Sequence, residues 1–293
     1  MFARALFPTD CSAYADAVLA CLPDLMDIGL QEVVLLSVIR SSDVPLPETL
    51  NRQSLEFWHW YLEEKLHIAR LALEGKGLRV MTRIEYGNVV QKILAVAEEE
   101  RVDWLILGAQ GATAAQEILL GSTAYEVIRR SHLPVLLQKF EVVREMGHIR
   151  CRQYCQHLFE KVLHPTDFSE CAASAFRVVK RLKAAGTRQV ILVHVQDTRT
   201  MKKRTPEQLV AFDQHDLRRL ETMQKTLRLY GLSVETHLLH GIPHQEILRL
   251  ADQLGACLIV LGASGISAVR EILTGSTFEN VIRHSRAPVL VVR

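Results

Sequence analysis

Two sets of glycines in this chain share the same spacing, and that spacing suits the binding of an anion. The first set is Gly108, Ala109, Gly111, Gly121, Ser122 and Thr123, and the second is Gly262, Ala263, Gly265, Gly275, Ser276 and Thr277. Each set lies between a short apolar run and a helical pattern. Glycine lets backbone N–H groups approach a phosphate closely, and a helix N-terminus favours negative charge. Because the sets lie 154 positions apart, the sequence predicts two phosphate-binding sites in tandem.

A second pair of short segments carries side chains that complement a phosphate site. They are Pro8, Thr9, Asp10 and Ser12 near the start of the chain, and Pro165, Thr166, Asp167 and Ser169 further on. Both follow a predicted first strand, whereas both glycine sets follow a predicted fourth strand. In a doubly wound sheet the two loops face one crevice if strands one and four are neighbours. There each aspartate could accept a hydrogen bond from a ribose hydroxyl or could only cap the next helix, although Ser12 and Ser169 are better placed for capping.

The elements that position these loops occur twice, because the chain is a duplication. Residues 87–139 align with residues 241–293 without a gap, with 23 identities in 53 positions. Each copy alternates apolar strands with helical patterns, which predicts an α/β fold with a doubly wound parallel sheet covered on both faces. The fourth helix of the first copy is expected over residues 114–131. The predicted organisation is a first domain over residues 1–139, a linker with some helix over residues 140–158, and a second domain over residues 159–293.

The composition is that of a soluble globular protein, with 48% hydrophobic and 23% charged residues. The formal net charge of +2 argues against a dedicated nucleic-acid surface. No apolar stretch approaches the ~18 residues of a membrane span, and Asp10 and Cys11 interrupt the only apolar start, which argues against a signal peptide. We therefore expect a cytoplasmic protein that binds neither membranes nor nucleic acids.

The cysteines offer two further interpretations, and neither is favoured. The six cysteines are scattered, which is not the pattern of a disulfide framework. The linker places His148, Cys151, Cys155 and His157 close together, and these side chains could bind zinc. Their spacing matches no standard zinc site, so no metal is predicted.

Taken together, the patterns resemble the universal stress protein family. The resemblance is carried by Gly-x-x-Gly-x9-Gly-Ser and Pro-Thr-Asp-x-Ser in both copies, and by Pro-Val-Leu in both last strands. It covers both copies and omits the linker. It implies two five-stranded parallel sheets of strand order 3-2-1-4-5, each with an ATP-type nucleotide in its crevice.

The resemblance also implies roles for particular residues. Asp10 and Asp167 would contact the ribose or adenine end of the nucleotide, Val38 and Val195 would line the adenine pocket, and the Gly-Ser-Thr segments would hold phosphates. The last strand of the sheet commonly pairs domains in this family. We therefore expect the two domains to pair within the chain, with a homodimer as a further candidate.

The chain departs from the family pattern at the phosphate end. Members often have histidine before the second glycine and a basic residue after it, whereas this chain has Gln110 and Ala112 in one copy and Ser264 and Ile266 in the other. Without that positive charge, ADP and AMP stay open beside ATP as ligands, and Mg²⁺ is a further candidate.

Three functions remain open from the sequence. The first is a stress-response protein that binds an adenine nucleotide without catalysis and changes its packing or partners accordingly. The second is a slow ATPase, although no general base stands out in the loops. The third is a structural adaptor with empty pockets, in which the glycines only permit tight turns and close helix packing. His194 stands where the first copy has Ser37, and we expect it to be a hydrogen-bonded core residue rather than a catalyst.

Overall fold

The computed structural model describes residues 2–40, 48–109, 120–145, 148–153, 155, 157–201, 204–263 and 276–293. The chain divides into two compact units, one made of Met1–Gln138 and Val142–Cys151, the other of Lys139–Glu141 and Arg152–Arg293. None of the helices in the described ranges combines the length and the hydrophobicity needed to cross a membrane.

The first unit alternates strands with helices. Along the chain these are β1 (Arg4–Pro8), α1 (Ala13–Cys21), β2 (Glu32–Ile39), α2 (Glu48–Glu74), β3 (Arg79–Tyr86), α3 (Val89–Glu99), β4 (Trp104–Gly108), α4 (Ser122–Arg130) and β5 (Val135–Gln138). All pairings between these strands are parallel, and their order is β3-β2-β1-β4-β5. This confirms the predicted strand order. The four apolar residues from Val33 to Leu36 in β2 are fully buried, as expected for a strand covered on both faces.

The segment between the two copies forms strands where some helix is expected from the sequence. β6 (Phe140–Glu145) and β7 (His148–Gln153) pair with each other in a two-stranded sheet. In β7, polar and apolar residues alternate with a period of two from His148 to Arg152, which suits a strand and not a helix. The expectation of helix is therefore wrong for the described part of this segment.

The second unit repeats the architecture of the first. Its elements are β8 (Lys161–Pro165), α5 (Glu170–Arg181), β9 (Gln189–Asp197), the short α6 (Thr198–Met201), α7 (Pro206–Leu229), β10 (Ser233–Gly241), α8 (Pro243–Leu254), β11 (Leu258–Gly262), α9 (Ser276–His284) and β12 (Val289–Val292). The parallel order is β10-β9-β8-β11-β12, which again confirms the prediction.

A disulfide in the second unit was not expected from the scattered cysteines. Cys155, after β7, is bonded to Cys257, the residue before β11, with the two Cα atoms 5.5 Å apart. The two cysteines are 102 residues apart in sequence. Only the folded arrangement of the second unit brings them together, so no local spacing could have revealed the pair.

Each sheet reverses its strand order beside its first strand. β1 pairs with β2 on one side and with β4 on the other, and β8 is likewise flanked by β9 and β11. Right-handed crossovers place α1 and α2 on one face of the first sheet, and α3 and α4 on the other. Consistent with this, α3 packs on α4 and α8 packs on α9. The carboxyl ends of the strands at this reversal are the usual ligand-binding position in doubly wound sheets.

The structure corrects the predicted start of the fourth helix. The helix expected over residues 114–131 cannot be continuous, because Gly121 is extended, with φ −60° and ψ 144°, and serves as the N-cap of α4. Residues 110–119 lie outside the described part of the chain. The N-terminus of α4 therefore coincides with the Gly-Ser-Thr segment, where a helix end is useful for anion binding.

Candidate functional site

The loops singled out in the sequence begin at the carboxyl ends of the strands that flank the reversal. The N–H of Thr9, just after β1, donates to the carbonyl of Leu36 at 2.8 Å, and the N–H of Ala109, just after β4, donates to that of Gln138 at 3.0 Å. In the second unit Thr166 and Ala263 make the corresponding bonds to Val193 and Val292. In each unit the aspartate loop and the first residues of the glycine loop therefore leave adjacent strands at one edge of the sheet.

The first aspartate loop is a compact turn stabilised by its own side chains. Asp10 Oδ1 accepts the N–H of Ser12 at 3.1 Å, and Thr9 Oγ1 accepts the N–H of Cys11 at 3.0 Å. Ser12 is the N-cap of α1, since its hydroxyl accepts the N–H of Ala15 at 3.3 Å. Cys11 takes a left-handed φ of 55°, which turns the chain between the aspartate and the helix.

The second aspartate loop repeats this geometry. Asp167 Oδ1 accepts the N–H of Ser169, and Thr166 Oγ1 accepts that of Phe168, both at 3.0 Å. Ser169 caps α5 through the N–H of Ala172, and Phe168 has φ 60°. In both loops serine, not aspartate, caps the helix. The aspartates are exposed at the crevice edge of the sheet, a position suited to ligand contact.

A side chain beneath each loop, buried in the first unit and half-buried in the second, holds the carbonyl of the loop's threonine. Ser37 of β2 donates its hydroxyl hydrogen to the carbonyl of Thr9 at 2.7 Å. In the second unit His194 Nδ1 lies 2.7 Å from the carbonyl of Thr166. The expectation that His194 is a hydrogen-bonded residue agrees with this geometry.

The second unit surrounds His194 with groups that the first unit lacks. His194 Nε2 lies 3.3 Å from Asp216 Oδ2, and Gln196 donates to the same oxygen at 2.9 Å. The rings of His194 and Phe168 lie 4.6 Å apart, and the guanidinium of Arg219 lies 3.9 Å above the Phe168 ring. Arg219 also donates to the carbonyl of Phe168 at 3.4 Å. This cluster closes the α7 side of the loop.

Sequence reasoning missed Asp216, Arg219 and Phe168. Asp216 lies within a helical pattern, where a charged residue usually faces solvent. A signal was nevertheless present: the corresponding residue of the first copy, 154 positions earlier, is Leu62, which is also buried. Comparison of the copies thus identifies the position as one that faces the sheet.

The glycine side of the first site brings a helix end to the carboxyl end of β4. The N–H of Gly121 donates to the carbonyl of Ala109 at 2.8 Å, so the chain returns to β4 immediately before α4. As an N-cap, Gly121 provides no side-chain hydrogen bond to the first turn of α4. The N–H groups of that turn can therefore donate to an anion. Ser122 is exposed and Thr123 half-buried in the same turn.

The other predicted residues of the two sites fall into three groups. Val38 and Val195 are half-buried, near the carboxyl ends of β2 and β9. Ser276 and Thr277 begin α9. Gly111, Gly265 and Gly275 lie outside the described residues.

Gly262 has a packing requirement of its own. A Cβ there would clash with the carbonyl of Cys171 and would lie 2.7 Å from the backbone nitrogen of Ala172, because the start of α5 presses against the end of β11. Close helix packing, the structural alternative for the glycines, therefore accounts for this position whether or not it contacts a ligand.

Two ionisable groups at the first loop are shifted by burial. Burial raises the pKa of the Cys11 thiol above its ordinary value, although hydrogen bonds with Ser37 and Thr9 oppose the shift. A thiol with a raised pKa is a poor nucleophile at neutral pH. Burial also raises the pKa of Asp16 in the first turn of α1, partly offset by Lys65. Among the described residues, no group of three or more His, Cys, Asp or Glu is arranged to hold a metal ion.

Comparisons with known proteins agree with the duplicated architecture. The model of the "Universal stress protein family" matches residues 1–139 and 158–293. A universal stress protein of Methanocaldococcus jannaschii is 37% identical over 155 residues, covering 46% of this chain and 96% of that protein. Another from Synechocystis is 26% identical over 255 residues, covering 84% of this chain and 79% of that protein. The crystal structure of one from Archaeoglobus fulgidus covers 99% of this chain and 96% of its own, at 26% identity and a TM-score of 0.74.

Proposed function

This chain belongs to the universal stress protein family, and from that premise we propose that it binds an adenine nucleotide in the crevice of each unit. The observation that carries the proposal is the position of the loops. In both units the Pro-Thr-Asp-x-Ser loop and the start of the glycine loop follow adjacent strands at the reversal of strand order. In the first unit the open N-terminus of α4 returns to the same edge. An acceptor for hydroxyls and a donor set for phosphates thus lie on neighbouring strands.

Each part of the loop pair has a proposed role. Asp10 and Asp167 accept hydrogen bonds from the ribose or adenine, and Val38 and Val195 line the base pocket. Backbone N–H groups and hydroxyls of the Gly-Ser-Thr segments bind phosphate. These segments comprise Gly121, Ser122 and Thr123 in the first site and Gly275, Ser276 and Thr277 in the second. Gly108, Ala109 and Gly111, with Gly262, Ala263 and Gly265, let the backbone approach the ligand.

The charge of the glycine sets does not select one phosphorylation state of the ligand. Neither glycine set contains a lysine, arginine or histidine, so the triphosphate gains no direct side-chain charge there. ATP, ADP and AMP are therefore all candidates, with Mg²⁺ as a possible companion of the di- and triphosphates. The proposed biological role is that of a stress-response protein whose packing or partner choice changes with the bound nucleotide. Pairing of the two domains and formation of a homodimer remain predictions from the family resemblance, and analytical ultracentrifugation with small-angle scattering tests both.

The first experiment looks for nucleotide in the purified protein. The protein is denatured and the released small molecules are identified by mass spectrometry. Thermal unfolding is then followed with ATP, ADP and AMP, each with Mg²⁺ or with EDTA. A ligand at 100 times its Kd raises the free energy of unfolding by about 2.7 kcal/mol. If no nucleotide is released and none of the three nucleotides shifts the thermal unfolding, the proposal is refuted.

The second experiment assigns binding to the loops. Asp10→Ala and Asp167→Ala each remove one proposed acceptor, and each is expected to weaken calorimetric binding at its own site about 10- to 100-fold. Asp27→Ala is the matched control, because Asp27 is exposed in the turn after α1 and remote in sequence from both loops. Unchanged binding in both loop variants would contradict the assigned role of the aspartates.

A further inference from the structure

Each copy makes a corresponding hydrogen bond to the carbonyl of its loop threonine, but the donor group differs between the copies. In the first unit the hydroxyl of Ser37 donates to the carbonyl of Thr9, and in the second unit the imidazole of His194 bonds the carbonyl of Thr166; both distances are 2.7 Å. Ser37 and His194 correspond in the duplication, 157 positions apart. A contact that persists although its donor has changed from a hydroxyl to an imidazole is a contact on which the loop depends.

The histidine in the second unit brings a charged partner with it. The two ring nitrogens of His194 each face an oxygen that accepts hydrogen bonds: Nδ1 faces the carbonyl of Thr166 and Nε2 faces the carboxylate of Asp216. The His194 and Asp216 side chains are only 14% and 12% exposed. Gln196 gives the carboxylate a second donor at 2.9 Å. The first copy has Leu62 and Ile39 where the second has Asp216 and Gln196.

The held carbonyl belongs to the residue immediately before the proposed ligand-binding aspartate. Thr166 is fixed from three sides: its N–H donates to the carbonyl of Val193, its hydroxyl accepts the N–H of Phe168, and its carbonyl meets His194. Its carbonyl and the N–H of Asp167 belong to one peptide plane. The orientation of that plane therefore sets the direction in which the Asp167 backbone continues.

We infer that Ser37 and His194 are matched positioning residues of the two proposed nucleotide sites, each orienting the aspartate that follows its bound threonine. The inference rests on the proposed function, because the aspartates matter here as ligands of nucleotide. Neither residue touches the nucleotide in this scheme. Ser37 and His194 set the affinity of their own pocket through the peptide plane, and the second pocket requires the Asp216 carboxylate to hold its histidine.

The test replaces the residues that hold the threonine carbonyl in the second unit with those found in the first. His194→Ser with Asp216→Leu installs the pair found at Ser37 and Leu62, whereas His194→Ala with Asp216→Leu is the same change without the hydroxyl. Both variants remove the carboxylate, so neither leaves a buried unpaired charge. Both are made in an Asp10→Ala background, so that calorimetry with ADP reports the second pocket.

The serine variant is expected to bind ADP within about threefold of its parent, and the alanine variant about five- to tenfold more weakly than the serine variant. Without nucleotide, the melting temperatures of the two variants are expected to agree within a few degrees. If the hydroxyl had a merely structural role, a difference in ADP affinity would be accompanied by a difference in melting temperature. Equal ADP affinity of the two variants would overturn the inference while leaving the proposed function intact. Absence of binding of ATP, ADP and AMP alike in the unmodified protein would instead overturn the proposed function.

A second pair of variants tests the first pocket, and both are made in an Asp167→Ala background. Ser37→Thr retains a hydroxyl and Ser37→Ala removes it, and Ser37 is 1% exposed, so both changes are confined to the interior. The alanine variant is expected to bind ADP about five- to tenfold more weakly than the threonine variant. Rescue by threonine supports the inference, and equal affinities would contradict it for this pocket.

Discussion

Replacing His164 with phenylalanine should change how the stability of the second unit depends on pH. His164 lies in β8 with 0% of its surface exposed. Its Nδ1 is 2.9 Å from the carbonyl of Val260, and its Nε2 is buried without a hydrogen-bond partner among the described residues. Burial lowers the pKa of His164 from 6.5 to about 4, so the folded protein holds a neutral imidazole over most of the acidic range.

The size of the effect follows from the two pKa values. In the unfolded chain His164 takes up a proton near pH 6.5, whereas in the folded chain it does so only near pH 4. Between these values the unfolded state binds more protons, so the free energy of unfolding falls as the pH is lowered. The accumulated loss is about 3 kcal/mol at pH 4, and it is absent above pH 6.5.

His164→Phe removes this term without introducing a foreign side chain. The corresponding residue of the first copy is Phe7, which is 1% exposed in β1, so the fold accommodates a phenyl ring at this position. The measurement is the free energy of unfolding of wild type and variant at pH 7, 6, 5 and 4. All three tryptophans, Trp58, Trp60 and Trp104, lie in the first unit, so their fluorescence does not report the second. Hydrogen exchange of peptides from β8 and β11, read by mass spectrometry, reports it directly.

The difference between the two proteins isolates His164 from the carboxylates that titrate in the same range. The variant is expected to gain on the wild type by about 3 kcal/mol between pH 6.5 and pH 4. His215→Gln serves as the control, because His215 is exposed on α7, and its pH curve should parallel that of the wild type. Parallel curves for His164→Phe and the wild type would refute the argument that a buried neutral imidazole opposes acid stability.

Three further changes test the packing around the sites. Gly262→Ala should lower the free energy of unfolding of the second unit by about 1–3 kcal/mol, since its Cβ meets the backbone of α5, whereas Gly121→Ala, with its nearest contact at 3.5 Å, should cost only a few tenths; equal melting temperatures would contradict this. Ser169→Ala removes the cap of α5 and should cost about 1 kcal/mol in urea unfolding, and no change would show that the cap is dispensable. Cys155→Ser should cost about 2–4 kcal/mol under oxidising conditions and nothing after reduction of both proteins, and an equal cost in both conditions would disprove the role of the disulfide.

The sequence predicted the strand order through the family resemblance, and it predicted the placement of the aspartate loops through local patterns that occur twice. It was misleading at α4, where residues 114–120 are mostly good helix formers and nothing local shows that Gly121 is extended. It was silent on the bond between Cys155 and Cys257, which depends on the tertiary fold alone.

Comparison of the two copies carries more information than either copy read alone. Phe7 and His164, Leu62 and Asp216, and Ile39 and Gln196 are corresponding pairs in which both members are buried and only the second is polar. A position that keeps its burial but changes its chemistry must find hydrogen-bond partners for the new polar group, because an unpaired one is costly inside a protein. The Asp216 carboxylate meets Gln196 Nε2 and His194 Nε2, whereas Gln196 Oε1 and His164 Nε2 are buried without a partner among the described residues.

These substitutions lie in or against the strands β8 and β9, which lead into the second aspartate loop. The second unit therefore carries buried ionisable groups where the first carries hydrocarbon, and its free energy of unfolding should depend more strongly on acid. His194, held by Asp216, holds the loop that presents Asp167, whereas in the first unit a serine hydroxyl holds the loop that presents Asp10. If nucleotide binds in both crevices, the two sites have matched backbone geometry, but different side chains hold their loops: a hydroxyl in the first unit and an imidazole with a carboxylate behind it in the second.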